Sequence, residues 1–419
     1  MKKRLLFITT RLFWPTDSGR KVSLYYYCKG LSEQYGYDVY IYSFLEGGQT
    51  PDMLADKPDF LKEVRLAKHV NILGKSWNML TRGLFGGWPF QTTLFYSGAN
   101  RRAIRAYCEE IRPDAVIVDM VRLAPYYNCF RELPCRKILD LDDLLSRRYV
   151  RQSRRSDTGS DLLGASADRM SRTSNRILRN SFVKRMILRS ESRRCHRAEK
   201  KYGRLYDSAI FVSEAETAAF NRMIGEDKAY TVTLGVDFAF YRGAAGMDKE
   251  PGAVAFLGNL KYAPNQDSLS LIAERVLPRM KQPYTLYVVG TVPEGYEAQF
   301  AENPHIVFSG RVDDLRQTIG KCNVFLSPIA YGSGIKTKIL EALAMGLPVV
   351  TNTIGAEGLS VTDGENILIR VNAETMAEAV DDLLTDGEKC RRIGAAGQAY
   401  IADKHTWDIV WRKFADMGL

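Results

Sequence analysis

The sequence predicts an α/β protein made of two doubly wound, parallel-sheet domains of Rossmann-like type. Three observations predict it. Short apolar runs recur with helix-length stretches between them, the rhythm restarts after residue 250, and 419 residues are too many for one ordinary domain.

In the first half the runs are residues 5–9, 39–44, 115–118, 138–141 and 209–212. In the second half they are residues 254–257, 285–290, 306–309, 324–327, 348–351 and 367–370. Each is rich in Val, Ile, Leu or Tyr, which suits strands buried on both faces beneath covering helices. A polar, Gly-containing stretch over residues 242–252 separates the two series. The expected division is therefore an N-terminal domain at 1–245, a C-terminal domain at 246–404 and a last helical segment at 405–419.

Composition narrows the function. With 45% hydrophobic and 26% charged residues, the chain can bury two cores. No run approaches the roughly 18–20 apolar residues of a membrane-spanning helix. Lys2-Lys3-Arg4 followed by Leu5-Leu6-Phe7-Ile8 begins like a signal peptide, but the run is short and Arg11 soon follows. It reads as a first buried strand, and cytoplasmic residence is expected. The seven cysteines form no C-x-x-C pair and the four histidines are dispersed, which argues against a zinc site or a disulfide framework.

The net charge of +10 is concentrated. Residues 147–205 hold eighteen Lys or Arg against five Asp or Glu, so the remainder is slightly acidic. Within it, Ile177, Phe182, Ile187 and Leu188 recur among Arg and Lys on a helical period. Two readings fit: a solvated helix packed on the first domain, or a face resting on anionic lipid headgroups. No nucleic-acid-binding module accompanies the charge, and no nucleic-acid partner is expected.

The most informative stretch is Tyr331-Gly-Ser-Gly-Ile-Lys-Thr-Lys-Ile-Leu-Glu341, continuing Ala-Leu-Ala-Met-Gly-Leu-Pro-Val-Val350. A glycine-rich turn here leaves a strand and opens an amphipathic helix. Glycines let backbone approach a ligand, and free N–H groups at a helix start favour a phosphate. Lys336 and Lys338 oppose the helix dipole, a conflict that an anion removes. Glu341, one turn on, offers two acceptor oxygens to a pair of hydroxyls. A structural turn with an exposed Glu is the plainer alternative.

Together these residues resemble the signature of glycosyltransferase family 4, a large retaining family with the GT-B fold, two Rossmann-like domains facing a cleft. The resemblance implies that Glu341 binds the ribose of a nucleotide-sugar donor. It implies too that Gly334, Ile335, Lys336 and Thr337 wrap the diphosphate. Phe256-Leu-Gly-Asn-Leu-Lys-Tyr-Ala-Pro-Asn-Gln-Asp267 is similar to the family's first C-domain strand and phosphate-side loop, adding Gly258, Asn259, Lys261 and Asn265 to the donor set. Arg311 and Val312 would face the nucleobase, and Gly355-Ala-Glu-Gly358 follows in the expected order. The last segment would cross back to the first domain.

The first half is the acceptor side in this resemblance. Gly19 and Arg20, between the first strand and first helix, are candidates for the donor phosphate. Asp119, Asp142 and Asp143 stand at the C-terminal ends of strands, where ligands gather in parallel sheets. They are acceptor-side candidates, with Asp119 also a catalytic candidate beside Lys338 and Glu341. Asp140-x-Asp142 has the form of a metal-binding motif, but the resemblance implies no metal and no other cofactor. The expected substrate is a UDP- or GDP-linked sugar, and the expected acceptor a glycan or lipid-linked hydroxyl. Residues 147–205 would rest on the inner face of the membrane.

Three positions depart from the family pattern. Ser333 stands where most members place a Glu at the donor sugar, and Asn259 and Asn265 replace Arg and Lys. Lys336, Lys338 and Lys261 are left to neutralise the leaving diphosphate. The departures keep open a non-catalytic partner subunit; a nucleotide-sugar 2-epimerase of the same fold is a second alternative, which the helix signature fits less well than a transferase.

Overall fold

The computed structural model describes residues 2–16, 18–154, 181–331 and 334–419. They form two compact units, Met1–Val232 with Trp411–Leu419, and Thr233–Val410.

The first unit is built on β1 (Arg4–Thr9), β2 (Asp38–Ser43), β3 (Leu61–Leu66), β4 (Ala115–Asp119), β5 (Arg136–Asp142), β6 (Ser208–Phe211) and β7 (Ala229–Thr231). They lie in the order β3-β2-β1-β4-β5-β6-β7, every pairing parallel. All five residues of β4 are buried, as an uninterrupted apolar run requires of a central strand. Two strands were not expected from the sequence, and both are edges. β3 carries Lys62, Glu63 and Arg65 on a largely half-exposed run, and β7 is three residues long.

The second unit holds β8 (Ala253–Leu257), β9 (Thr285–Val289), β10 (Ile306–Gly310), β11 (Val324–Ser327), β12 (Val349–Thr351) and β13 (Leu368–Ile369). Their order is β10-β9-β8-β11-β12-β13, again parallel. Leu234 and Val236 pack into a core of this unit with Phe325, Ile339 and Leu343. In each sheet the strand order reverses beside the first strand, between β1 and β4 and between β8 and β11. Chains leaving neighbouring strands there diverge and open a crevice at the C-terminal edge.

Of the basic segment, residues 155–180 lie outside the described residues. The helix Ser181–Leu205 is described, and one face of it is built into the first unit. Leu188, Cys195, Ala198 and Tyr202 are buried in that unit's core. Its two carboxylates cap other helices: Glu191 accepts from Phe90 N at 3.0 Å, and Glu199 from Ser146 N at 3.0 Å. At the chain's end Trp411 donates its indole N–H to Tyr26 O at 2.8 Å, and Phe414 meets Tyr27 edge-on. No helix among the described residues is long and apolar enough to cross a membrane.

Candidate functional site

The crevice beside β8 and β11 brings the expected donor loop together. After β11 the chain turns through Gly334, whose φ of +72° lies in the region that glycine tolerates, and enters the helix Thr337–Ala344. Ile339, Leu340, Ala342, Leu343 and Ala344 are buried, which fixes the helix's rotation. Thr337, Lys338 and Glu341 are left on the half-buried face. Gly346, at φ +74°, ends the helix and turns the chain into β12.

Lys338 joins the two sides of the crevice. Its ammonium donates to Leu257 O at the end of β8 at 3.1 Å and to Asn265 Oδ1 at 3.0 Å, and lies 5.1 Å from the Phe256 ring centre. Asn265 Nδ2 in turn donates to Asn259 O at 2.9 Å, and Asn259 Oδ1 accepts from Lys261 N at 3.0 Å. The two Asn that depart from the family pattern therefore brace the loop and orient the lysine. A Cβ on Gly258 would stand 3.0 Å from Asn265 Cγ, so that glycine is what lets the side chain close. On the other flank a Cβ on Gly358 would meet Ile335 at 2.9 Å, so the 355–358 loop backs the donor loop.

The electrostatics of this edge are under-compensated. Burial, reinforced by the Lys336 charge and opposed by Glu341, pulls the Lys338 ammonium down to about 8. Burial, opposed by Lys338, pushes the Glu341 carboxyl up to about 7. The first group is short of negative charge around it and the second short of hydrogen-bond donors. An anionic ligand would supply the one and a hydrogen-bond-donating ligand the other. Lys336 donates to Gly334 O within its own loop.

Lys261 and Arg311 are exposed, and Val312 is half-buried against the same core as Ile335. Ser333 lies outside the described residues.

The first unit carries a different cluster at its own crevice. Gly19 begins the helix Gly19–Glu33, and Arg20 is held 2.5 Å from Asp119, 2.8 Å from Asp140 and 3.4 Å from Asp142. Asp119 Oδ2 also accepts from Thr10 N at 2.9 Å and from its hydroxyl at 2.5 Å. Burial pushes the Asp119 carboxyl up, but Arg20, Arg11 and Thr10 together hold it below the usual range. Asp140 rises to about 6, with burial outweighing Arg20. Met120 and Asp142, both at φ 64°, turn the chain sharply at the ends of β4 and β5. Asp143 pairs with Arg148 at 2.5 Å.

Arg20, expected at the donor phosphate, thus has its guanidinium engaged by aspartates, with 9% of its side chain exposed. Sequence reasoning missed Thr10 and the structural part of Asp140. The available signal was the Asp140-x-Asp142 spacing, which puts both carboxylates on one face of a strand. Among the described residues no group of three or more His, Cys, Asp or Glu could hold a metal ion.

Two successive parallel sheets, each with a crevice at its order reversal, define the class: this is the GT-B fold. Sucrose-phosphate synthase from Thermosynechococcus elongatus has it, aligning over 100% of this chain and 98% of its own at a TM-score of 0.68 and 15% identity. Residues 251–386 match the model of the family described as Glycosyl transferases group 1. Among curated relatives, one is the GDP-mannose-dependent monoacylated alpha-(1-6)-phosphatidylinositol monomannoside mannosyltransferase of Corynebacterium glutamicum. It is 22% identical over 241 residues, 52% of this chain and 63% of that protein. Another is the capsular polysaccharide biosynthesis glycosyltransferase CapM of Staphylococcus aureus, 26% identical over 118 residues, 28% of this chain and 31% of that protein. The matched regions thus span less than two thirds of either relative.

Proposed function

We propose that this protein moves a sugar from a UDP- or GDP-linked donor to an acceptor hydroxyl, with retained configuration. The product would belong to an envelope glycan or surface polysaccharide assembled on a lipid-linked acceptor. The observation that carries the reading is the Lys338–Glu341 pair on one helix face at the β8/β11 crevice, next to the Gly334 turn. Relatives named for mannosyl transfer to a phosphatidylinositol mannoside and for capsule synthesis support the substrate class.

In the reaction the bond from the anomeric carbon to the diphosphate breaks and a bond to the acceptor oxygen forms. The acceptor proton passes to a leaving-phosphate oxygen. Lys336 and Lys338 take up the negative charge that develops on the leaving group. Glu341 holds the ribose, so that the sugar is positioned before the bond breaks. Both oxygens of Asp119 are engaged by Arg20 and Thr10, so we assign it to positioning Arg20 rather than to proton transfer. The basic segment 147–205 would keep the enzyme at the anionic inner face of the membrane.

Incubation of the full chain with UDP- and GDP-sugars and membrane-extracted lipid acceptors tests this. Nucleoside diphosphate released together with a new glycolipid is the expected result. An isomerised donor would identify a 2-epimerase, and donor binding without turnover on any acceptor a non-catalytic partner. Either outcome would overturn the proposal.

A further inference from the structure

The helical segment from Ile72 through Phe85 is inside out. Asn71 caps its start, accepting from Gly74 N at 2.8 Å. The face it turns inward is polar or small. Asn78 donates to Tyr96 O at 2.7 Å, Arg82 lies over the rings of Trp88 and Tyr96, and Gly83 packs on Phe90. The face it turns outward carries Ile72, Leu73, Trp77, Leu80, Leu84 and Phe85, between 45% and 81% exposed. An amphipathic helix in water does the opposite, and apolar surface of this extent marks contact with something other than water.

The helix Ser181–Leu205 is fixed beside it. The Arg194 guanidinium donates to the carbonyls of Gly83 and Trp88, the latter at 3.2 Å, tying the basic helix to the end of the apolar segment. Leu188, Cys195, Ala198 and Tyr202 face the core. At 100° per residue, Arg189, Arg193, Arg197 and Lys200 fall on the opposite side together with the exposed Met186. Glu191 and Glu199, the only acidic residues of this helix, are buried. The outward face of this helix is therefore cationic and carries no acidic residue of its own.

From this juxtaposition we infer that the two elements form one docking surface for an anionic lipid bilayer. The apolar face of residues 72–85 enters the boundary between headgroups and acyl chains, with Trp77 among the inserted side chains. The cationic face of the neighbouring helix lies on the headgroups. Charge selects this occupant: a second copy would bring an equally cationic face against this one, whereas an anionic membrane complements it. The inference gives a physical means to the membrane residence proposed above, but the surface stands whether or not sugar transfer does.

Flotation of the full chain with phosphatidylcholine vesicles, with and without about one third phosphatidylglycerol, tests it. The wild type is expected to float with anionic vesicles and to retain part of that binding in high salt, since apolar insertion is not screened. Leu73→Glu/Trp77→Glu/Phe85→Glu is expected to lose at least about tenfold in partitioning at every salt concentration. Arg189→Glu/Arg193→Glu/Arg197→Glu is expected to lose binding mainly at low salt. Nucleoside diphosphate binding checks that each variant is folded. Should the apolar variant fail to fold, quenching of tryptophan fluorescence by brominated lipid, lost selectively in Trp77→Phe, carries the test. Flotation of a folded apolar variant like the wild type would overturn the inference. So would a wild type that ignores vesicles but sediments as a dimer broken by the apolar variant. Transfer to a soluble acceptor without vesicle binding would sink this inference and leave the proposed activity intact.

Discussion

The two sheets place charge at the same topological position, yet the two sites are opposite in kind. At the β1/β4 crevice, Arg20 sits among Asp119, Asp140 and Asp142, and Thr10 completes the hydrogen bonding of Asp119. At the β8/β11 crevice, Lys338 is pulled down to about 8 and Glu341 pushed up to about 7. The first site is an ion network in which one guanidinium is shared by three aspartates and already engaged within the protein, although Asp140 is still pushed up to about 6. The second holds charges that the protein leaves partly uncompensated, which is the condition for gaining from a ligand.

The strongest way to break that contrast is Arg20→Met. It leaves three carboxylates around the vacated guanidinium and is expected to cost about 3–5 kcal/mol in urea unfolding. Nucleoside diphosphate affinity of the folded fraction should not change. A loss under about 1 kcal/mol would mean that the first cluster is not architectural.

Next in size is Lys338→Met. Turnover at saturating donor should fall at least about tenfold, the scale of a lost transition-state contact. Unchanged turnover would remove Lys338 from the leaving-group site. The smaller Asn265→Ala takes away only the brace, and about 1 kcal/mol of stability with a modest loss of turnover is expected.

The pH dependence sharpens the contrast further. Glu341 has a folded value raised above its ordinary 4.5, so its contribution to stability is complete below 4.5 and is lost as pH rises through about 7. Lys338 has a folded value lowered from 10.5, so its contribution is present above 10.5 and is lost as pH falls through about 8. A diphosphate needs the protonated lysine, and ribose hydroxyls need the ionised carboxylate. Calorimetric affinity for a nucleoside diphosphate should therefore peak between about 7 and 8 and fall on both sides. A flat profile from pH 6 to 9 would contradict the pairing.

Much of this was legible in the sequence, for identifiable reasons. Central strands such as β4 and β11 are continuous apolar runs, and the Gly334-to-Glu341 stretch combines turn, helix start and charge within a few residues. β3 escaped because an edge strand tolerates Lys62, Glu63 and Arg65, which erase the apolar signal. The Lys338–Asn265–Asn259 brace escaped because its members are 73 and 6 residues apart and meet only through the fold. The three aspartate partners of Arg20 escaped because nothing local announces that the ends of β4 and β5 converge on it.

The proposed function requires that Glu341 grip the ribose of a donor whose diphosphate lies at the Gly334 turn. Calorimetry with UDP and GDP and their 2′,3′-dideoxy analogues, on the wild type and on Glu341→Gln, tests it most directly. Loss of the two hydroxyls should weaken wild-type binding by at least about tenfold and should matter little to the variant. An equal loss in both proteins would show that Glu341 does not touch the ribose.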